Sequence, residues 1–194
     1  MKKTQEHIEK ARFAVNYGKC KNAKPLLIIL MGLPGSGKSY LADYLHKKYS
    51  FTTLSGENVT HAIFGTEKCS SGQYKEVYDA LRLIAKQLLV QKFSIVIDGT
   101  NLKYEFRKQI YDEMGDLANV ALFYLVADDE VSLQRVNSRG EDYSNSKNIL
   151  SKCPPETFAV FQSKLEAPKE NENYYQLRSD SNLFEEVDKI IQQT

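Results

Sequence analysis

The sequence predicts an α/β fold: a parallel five-stranded sheet with helices on both faces and a lid. Three observations carry this. Apolar runs at 26–31 (LLIILM), 94–97 (SIVI) and 120–126 (VALFYLV) read as strands buried on both faces. Stretches with apolar residues at spacings of three and four separate them, as amphipathic helices do. The length, 194 residues with 42% apolar and 26% charged, suits one domain with its own core.

Residues 1–24 carry seven basic side chains (Lys2, Lys3, Lys10, Arg12, Lys19, Lys21, Lys24) against Glu6 and Glu9. Ile8, Ala11, Phe13 and Val15 give them a loose apolar stripe. This reads as a helix and a lysine-rich linker, either packed on the domain edge or serving as a basic arm for a polyanion. The main domain then spans 25–194. Within it the pattern predicts helices over 38–48, 58–64, 73–92, 104–115, 129–139, 156–165 and 183–192. Strands are expected at 26–31, 51–54, 94–97, 120–126 and 174–177. Asp128 or Asp129 is the expected cap of helix 129–139. Residues 140–155, polar and closed by Pro154 and Pro155, are expected to form the lid.

Composition excludes several classes. Net charge is +1, so no overall field points to a polyanion. Cys20, Cys69 and Cys153 form no C-x-x-C pair, which excludes a disulfide framework and a cysteine zinc site. His7, His46 and His61 lack metal-ligand spacing. No run approaches the roughly 20 apolar residues of a membrane span. The lysines at the N-terminus precede no apolar segment, so the expectation is a cytoplasmic protein without a membrane partner.

Gly32-Leu33-Pro34-Gly35-Ser36-Gly37-Lys38-Ser39 matches G-x-x-x-x-G-K-[ST] at every fixed position, after a buried strand and before a helix. The glycines let the backbone curl so that N–H groups face phosphate oxygens, and Gly32, Pro34, Gly35, Ser36 and Gly37 are the candidate ATP-binding positions. The helix N-terminus adds its dipole. Lys38 reaches the β- and γ-phosphates of ATP, and Ser39 offers its hydroxyl to Mg2+. The architecture expected is therefore the three-layer sandwich of P-loop NTPases. No N-K-x-D string is present to read guanine, and the D-x-x-G at 112–115 falls on a helix.

Asp98 ends the SIVI strand and reads as a second magnesium-side ligand. The segment Asp98-Gly99-Thr100-Asn101 follows it, with Thr100 and Asn101 as candidates to bind an acceptor or orient Glu57. Glu57 lies beyond a short strand, where a carboxylate can take a hydroxyl proton. Arg135 and Arg139, at i and i+4, share a helix face.

These residues resemble the P-loop kinases that include 5′-hydroxyl polynucleotide kinases, zeta-toxin-like kinases and related AAA-type ATP-binding proteins. The resemblance runs from about 26 to 180. It implies ATP and Mg2+ as cofactors, Glu57 as general base in Leu54-Ser55-Gly56-Glu57, and a D-x-T-N segment at 98–101. Arg135 would stack on adenine, and Arg139 would contact the transferring phosphates. Lys38, Glu57 and Arg139 are thus the catalytic candidates. Polynucleotide kinases commonly carry an arginine where this chain has Thr60. The acceptor expected first is a polynucleotide 5′-hydroxyl, then a small metabolite or nucleotide sugar. A nucleotide-dependent regulatory switch is the alternative of another class. Arg107 and Lys108 read mainly as solvated charges. The 21 tyrosines and phenylalanines read mostly as core, with Tyr143 in the lid as an exception.

Overall fold

Six consecutive apolar residues leave β1 (Leu26–Met31) no face to turn to water, and the fold buries all of them. The structure, a computed structural model, describes residues 2–65, 70–138 and 153–193. In it β1 lies at the centre of a five-stranded sheet of order β2-β3-β1-β4-β5. The others are β2 (Thr52–Ser55), β3 (Ile95–Asp98), β4 (Asn119–Val126) and β5 (Tyr174–Arg178). Every pairing is parallel; Leu27 stands opposite Ile95 on one side and Val120 on the other. The α/β expectation holds.

Alternation along β1 divides the core. Leu26, Ile28 and Leu30 face α2 (Lys38–Tyr49) and α8 (Leu183–Gln193). Leu27, Ile29 and Met31 face α1 (Lys2–Phe13), α3 (Gly56–Phe64), α4 (Ser71–Val90) and α5 (Tyr104–Met114). A third cluster joins Val136 of α6 (Asp129–Asn137) to Phe158 of α7 (Pro155–Ser163), Cys153 and Leu33. Cys153, expected in a polar loop, is buried there.

Element boundaries shift where caps decide them. Ser55 Oγ accepts from Asn58 N (3.4 Å), which starts α3 at Gly56 and puts Glu57 in its first turn. Ser70 and Gln73 form a capping box that starts α4 at Ser71. Asp128 occupies the cap position of α6 without a side-chain capping hydrogen bond, its carboxylate accepting from Arg178 instead, and that helix ends at Asn137.

The N-terminal residues are stitched to the sheet. Ala11, Val15 and Ile8 pack into the core with α3 and α4, while His7 pairs with Glu76 at 2.9 Å. Phe13, expected in that stripe, is 91% exposed, because the buried face runs through 7, 8, 11 and 15 at helical spacing. Beyond α1, Asn16 and Thr53 exchange both backbone hydrogen bonds. Cys20 N donates to Ser50 O, and Ser94 N to Cys20 O, each at 2.9 Å. Gly18 passes so close that a Cβ there would lie 1.9 Å from Ser50 O.

The largest departure from expectation is Arg107. It is fully buried, with Nε and one terminal nitrogen on the Glu172 carboxylate (2.7 and 2.9 Å). The other terminal nitrogen donates to Asn101 O (3.0 Å) and Leu102 O (2.9 Å). Position 107 is in phase with Ile110 and Met114, the apolar side of α5, so a cation there enters the protein. Lys108, by contrast, is exposed and pairs with Asp112. Arg107→Met is expected to cost about 3–5 kcal/mol, because it strands a buried carboxylate. Adding Glu172→Leu should recover much of that loss in a urea titration.

Candidate active site

The carboxyl ends of β1, β2 and β3 carry the candidate residues, at the edge where open α/β sheets hold ligands. Gly32 N donates to Thr100 O (3.2 Å), and Asn101 Nδ2 donates to Leu30 O (2.7 Å). These two bonds join the loop after β1 to the loop after β3. Asn101 sits in the left-handed region (φ 45°), which its short amide tolerates, and is 1% exposed. Its amide nitrogen turns inward to the carbonyls of Leu30 and Gly99.

The phosphate loop is shaped by close approach as well as by turn geometry. Gly35 (φ +81°) backs onto α6, where a Cβ would meet Ser132 O at 2.2 Å. Gly37 (φ +95°) is the cap of α2, with no side-chain cap bond closing that N-terminus. A Cβ on it would lie 2.5 Å from Ser179 Oγ. A helix N-terminus capped only by glycine presents its N–H groups to an anion. Lys38 is buried, its Nζ donating to Leu33 O (2.8 Å) and to Ser36 Oγ (3.4 Å), so the ammonium spans the loop. Pro34 and Ser39 are half-buried.

Asp98 is the last residue of β3, buried, and in register with Ser55 of β2. Gly56 packs near Asp98 O, which brings Glu57, exposed on the first turn of α3, to the same row of strand ends. The hydroxyl of Ser39 and the carboxylate of Asp98 are the hard oxygen donors that suit Mg2+. That ion takes few protein ligands and completes its shell with water and phosphate oxygens. Among the described residues no group of three or more His, Cys, Asp or Glu gathers as a metal cluster.

Arg135 lies against the phosphate loop. Its guanidinium donates to Ser179 Oγ (2.8 Å), Ser179 O (3.1 Å) and Gly35 O (3.5 Å), fixed yet exposed. Arg139, Tyr143 and Cys69 lie outside the described residues, as does most of the expected lid. Thr60 is buried with its hydroxyl donating to Gly56 O (2.7 Å), so this position faces its own helix. Thr100 hydrogen bonds with Tyr78, whose hydroxyl burial pushes up to about 12. Sequence reasoning missed Tyr78 and Ser179, and it read Arg107 as mainly solvated although that residue is in helical phase with Ile110 and Met114.

A family model described as an AAA domain matches residues 27–168. The chain belongs to that AAA-domain family. Among curated proteins none matches significantly by sequence. Solved structures resemble this AAA-domain chain in fold. A gluconokinase from Sinorhizobium meliloti is 16% identical with TM-score 0.61, covering 88% of this chain and 92% of its own. Chaetomium thermophilum Kti12, in complex with ADP-AlF3, is 20% identical with TM-score 0.64, covering 86% and 97%. The Pnkp1/Rnl/Hen1 RNA repair complex contains a chain 20% identical with TM-score 0.62, covering 74% of this chain but 45% of its own. The AAA-domain chain thus has the kinase-like P-loop fold. No helix among the described residues is long and apolar enough to cross a membrane.

Gly35→Ala is expected to weaken binding of a fluorescent ATP analogue about ten-fold or more, since the new Cβ forces the loop off α6. Unchanged affinity would mean that the cradle does not hold the phosphates.

Proposed function

We propose that this chain is an ATP-dependent kinase transferring the γ-phosphoryl group of ATP to an acceptor hydroxyl, first among acceptors a polynucleotide 5′-hydroxyl. The observation that carries this reading is the joint between Gly32 and Thr100. It joins the glycine-rich loop to the segment after β3, and Glu57 stands on the first turn of α3, just past the end of β2.

In this reading Lys38 offsets charge developing on the β- and γ-oxygens, and Glu57 accepts the acceptor's proton as its oxygen attacks in line. Arg135 holds the nucleotide from the α6 side, and Arg139 adds charge at the transferring phosphate. Ser39 and Asp98 are the residues that would hold Mg2+, which neutralises phosphate charge when bound. Thr100 is the residue of its loop left to meet the acceptor, because Asn101 is engaged inward. Catalysis is by positioning and electrostatics, without a covalent intermediate.

The likeness to the RNA repair chain and the lysines of residues 1–24 support the polynucleotide. The likeness to a gluconokinase supports a small metabolite or nucleotide sugar as the second acceptor class. A screen of label transfer from γ-labelled ATP to 5′-hydroxyl oligonucleotides, nucleotide sugars and gluconate separates them. Labelling of the oligonucleotide is expected. If none of these takes label while ATP binds tightly, the regulatory-switch reading replaces this one.

Lys38→Ala is expected to lower transfer on the order of 10²–10³-fold while leaving the unfolding midpoint in place. Glu57→Gln keeps the shape but cannot take a proton, and should lower transfer roughly 10²–10⁴-fold with ATP affinity near that of the parent chain. A collapse of ATP affinity in Glu57→Gln would instead put Glu57 on the nucleotide side.

A further inference from the structure

We propose that Tyr74, backed by the stacked Tyr78–Phe106 pair, forms a subsite on which the terminal base of a polynucleotide acceptor stacks. The proposal rests on the reading above, in which Glu57 and the loop after β3 face the acceptor.

The placement follows from the fold. Helix α4 feeds β3, and a helix that packs on a parallel sheet runs antiparallel to its strands. Its first turns therefore stand at the carboxyl ends of β2 and β3. Packing agrees, since a Cβ on Gly56, at the start of α3, would touch Leu81 of α4 at 4.0 Å. Tyr78 lies one turn before Leu81, and Tyr74 one turn before that, on a common helix face.

The next turn of α4 carries a stacked pair. The rings of Tyr78 and Phe106 stack with centroids 4.8 Å apart and planes 7° from parallel. The Tyr78 hydroxyl is tied to Thr100, in the segment assigned to the acceptor. Tyr74 is 43% exposed, although the tyrosines read mostly as core from the sequence.

The chemistry of the neighbouring positions favours stacking over charge. Position 60 is Thr, with its hydroxyl bonded inside α3, and the Arg107 guanidinium is consumed by Glu172 and backbone carbonyls. Neither offers a guanidinium to an acceptor phosphate. Aromatic rings bind bases through their π-faces whatever the sequence, which fits recognition of a strand end.

The test compares two 5′-hydroxyl oligonucleotides, one with a normal terminal nucleotide and one whose terminal nucleotide lacks its base. Transfer from γ-labelled ATP is measured for the parent chain, Tyr74→Ala and Tyr74→Phe. Tyr74→Ala should raise the KM for the normal oligonucleotide about ten- to a hundred-fold, and Tyr74→Phe should restore it. With the abasic oligonucleotide, parent and Tyr74→Ala should give the same KM. An equal effect of Tyr74→Ala on both oligonucleotides, or none on either, overturns the subsite while the kinase reading stands. If the parent chain labels neither oligonucleotide but labels gluconate, both the subsite and the polynucleotide acceptor fall.

Discussion

A guanidinium without water needs an acceptor for each of its five N–H groups, and Arg107 meets that requirement almost entirely within a few loops. Two go to the Glu172 carboxylate, two to the carbonyls of Asn101 and Leu102, and one to the carbonyl of Glu166. Glu172 is also held from its other side by Lys169 N. A buried ion pair of this kind contributes little net stability, but removing either member leaves a charge that nothing can solvate. What it secures is position. The turn after β3 cannot drift from the segment leading to β5 without opening the pair.

That fixed turn is then the anchor for the phosphate loop. Thr100 O holds Gly32 N and Asn101 holds Leu30 O, so the start of the glycine-rich curl is pinned before any ligand arrives. On its far side the curl rests on Ser132 of α6 and on Ser179 beyond β5, with Arg135 bridging Gly35 O and Ser179. The glycines at 35 and 37 thus serve their neighbours in the fold: their missing Cβ atoms admit a helix backbone and a serine side chain. Preorganisation of this kind spares a phosphoryl-transfer site the cost of arranging its dipoles during the reaction.

The sheet, the phosphate loop and most helices were legible because each is written locally. A two-sided strand needs only a run of apolar residues, and the curl needs only its glycines and lysine in order. Caps moved the boundaries of α3 and α4 by two residues, since Ser55 and Ser70 act through single side-chain bonds that periodicity does not register. The loop after β3 was harder. Arg107 meets Glu172 across 65 positions, and no local pattern announces the partner. Asn101 looked available because turn residues carry polar groups outward as often as inward. Tyr74 and Phe13 looked buried because hydrophobicity does not specify which side of a helix is covered.

The strap from Asn16 to Asn22 bears on how copies of this chain meet. A parallel sheet ends in two strands whose outer N–H and C=O groups can template a further strand, the first step toward edge-to-edge aggregation. Here the outer side of β2 is already engaged by Asn16, and the backbone around Ser50 and Ser94 is engaged by Cys20. The lysine-rich character of the strap adds like-charge repulsion against a second copy. The β2 side of the sheet is thereby closed to strand addition, and any association through backbone pairing is directed to the β5 side.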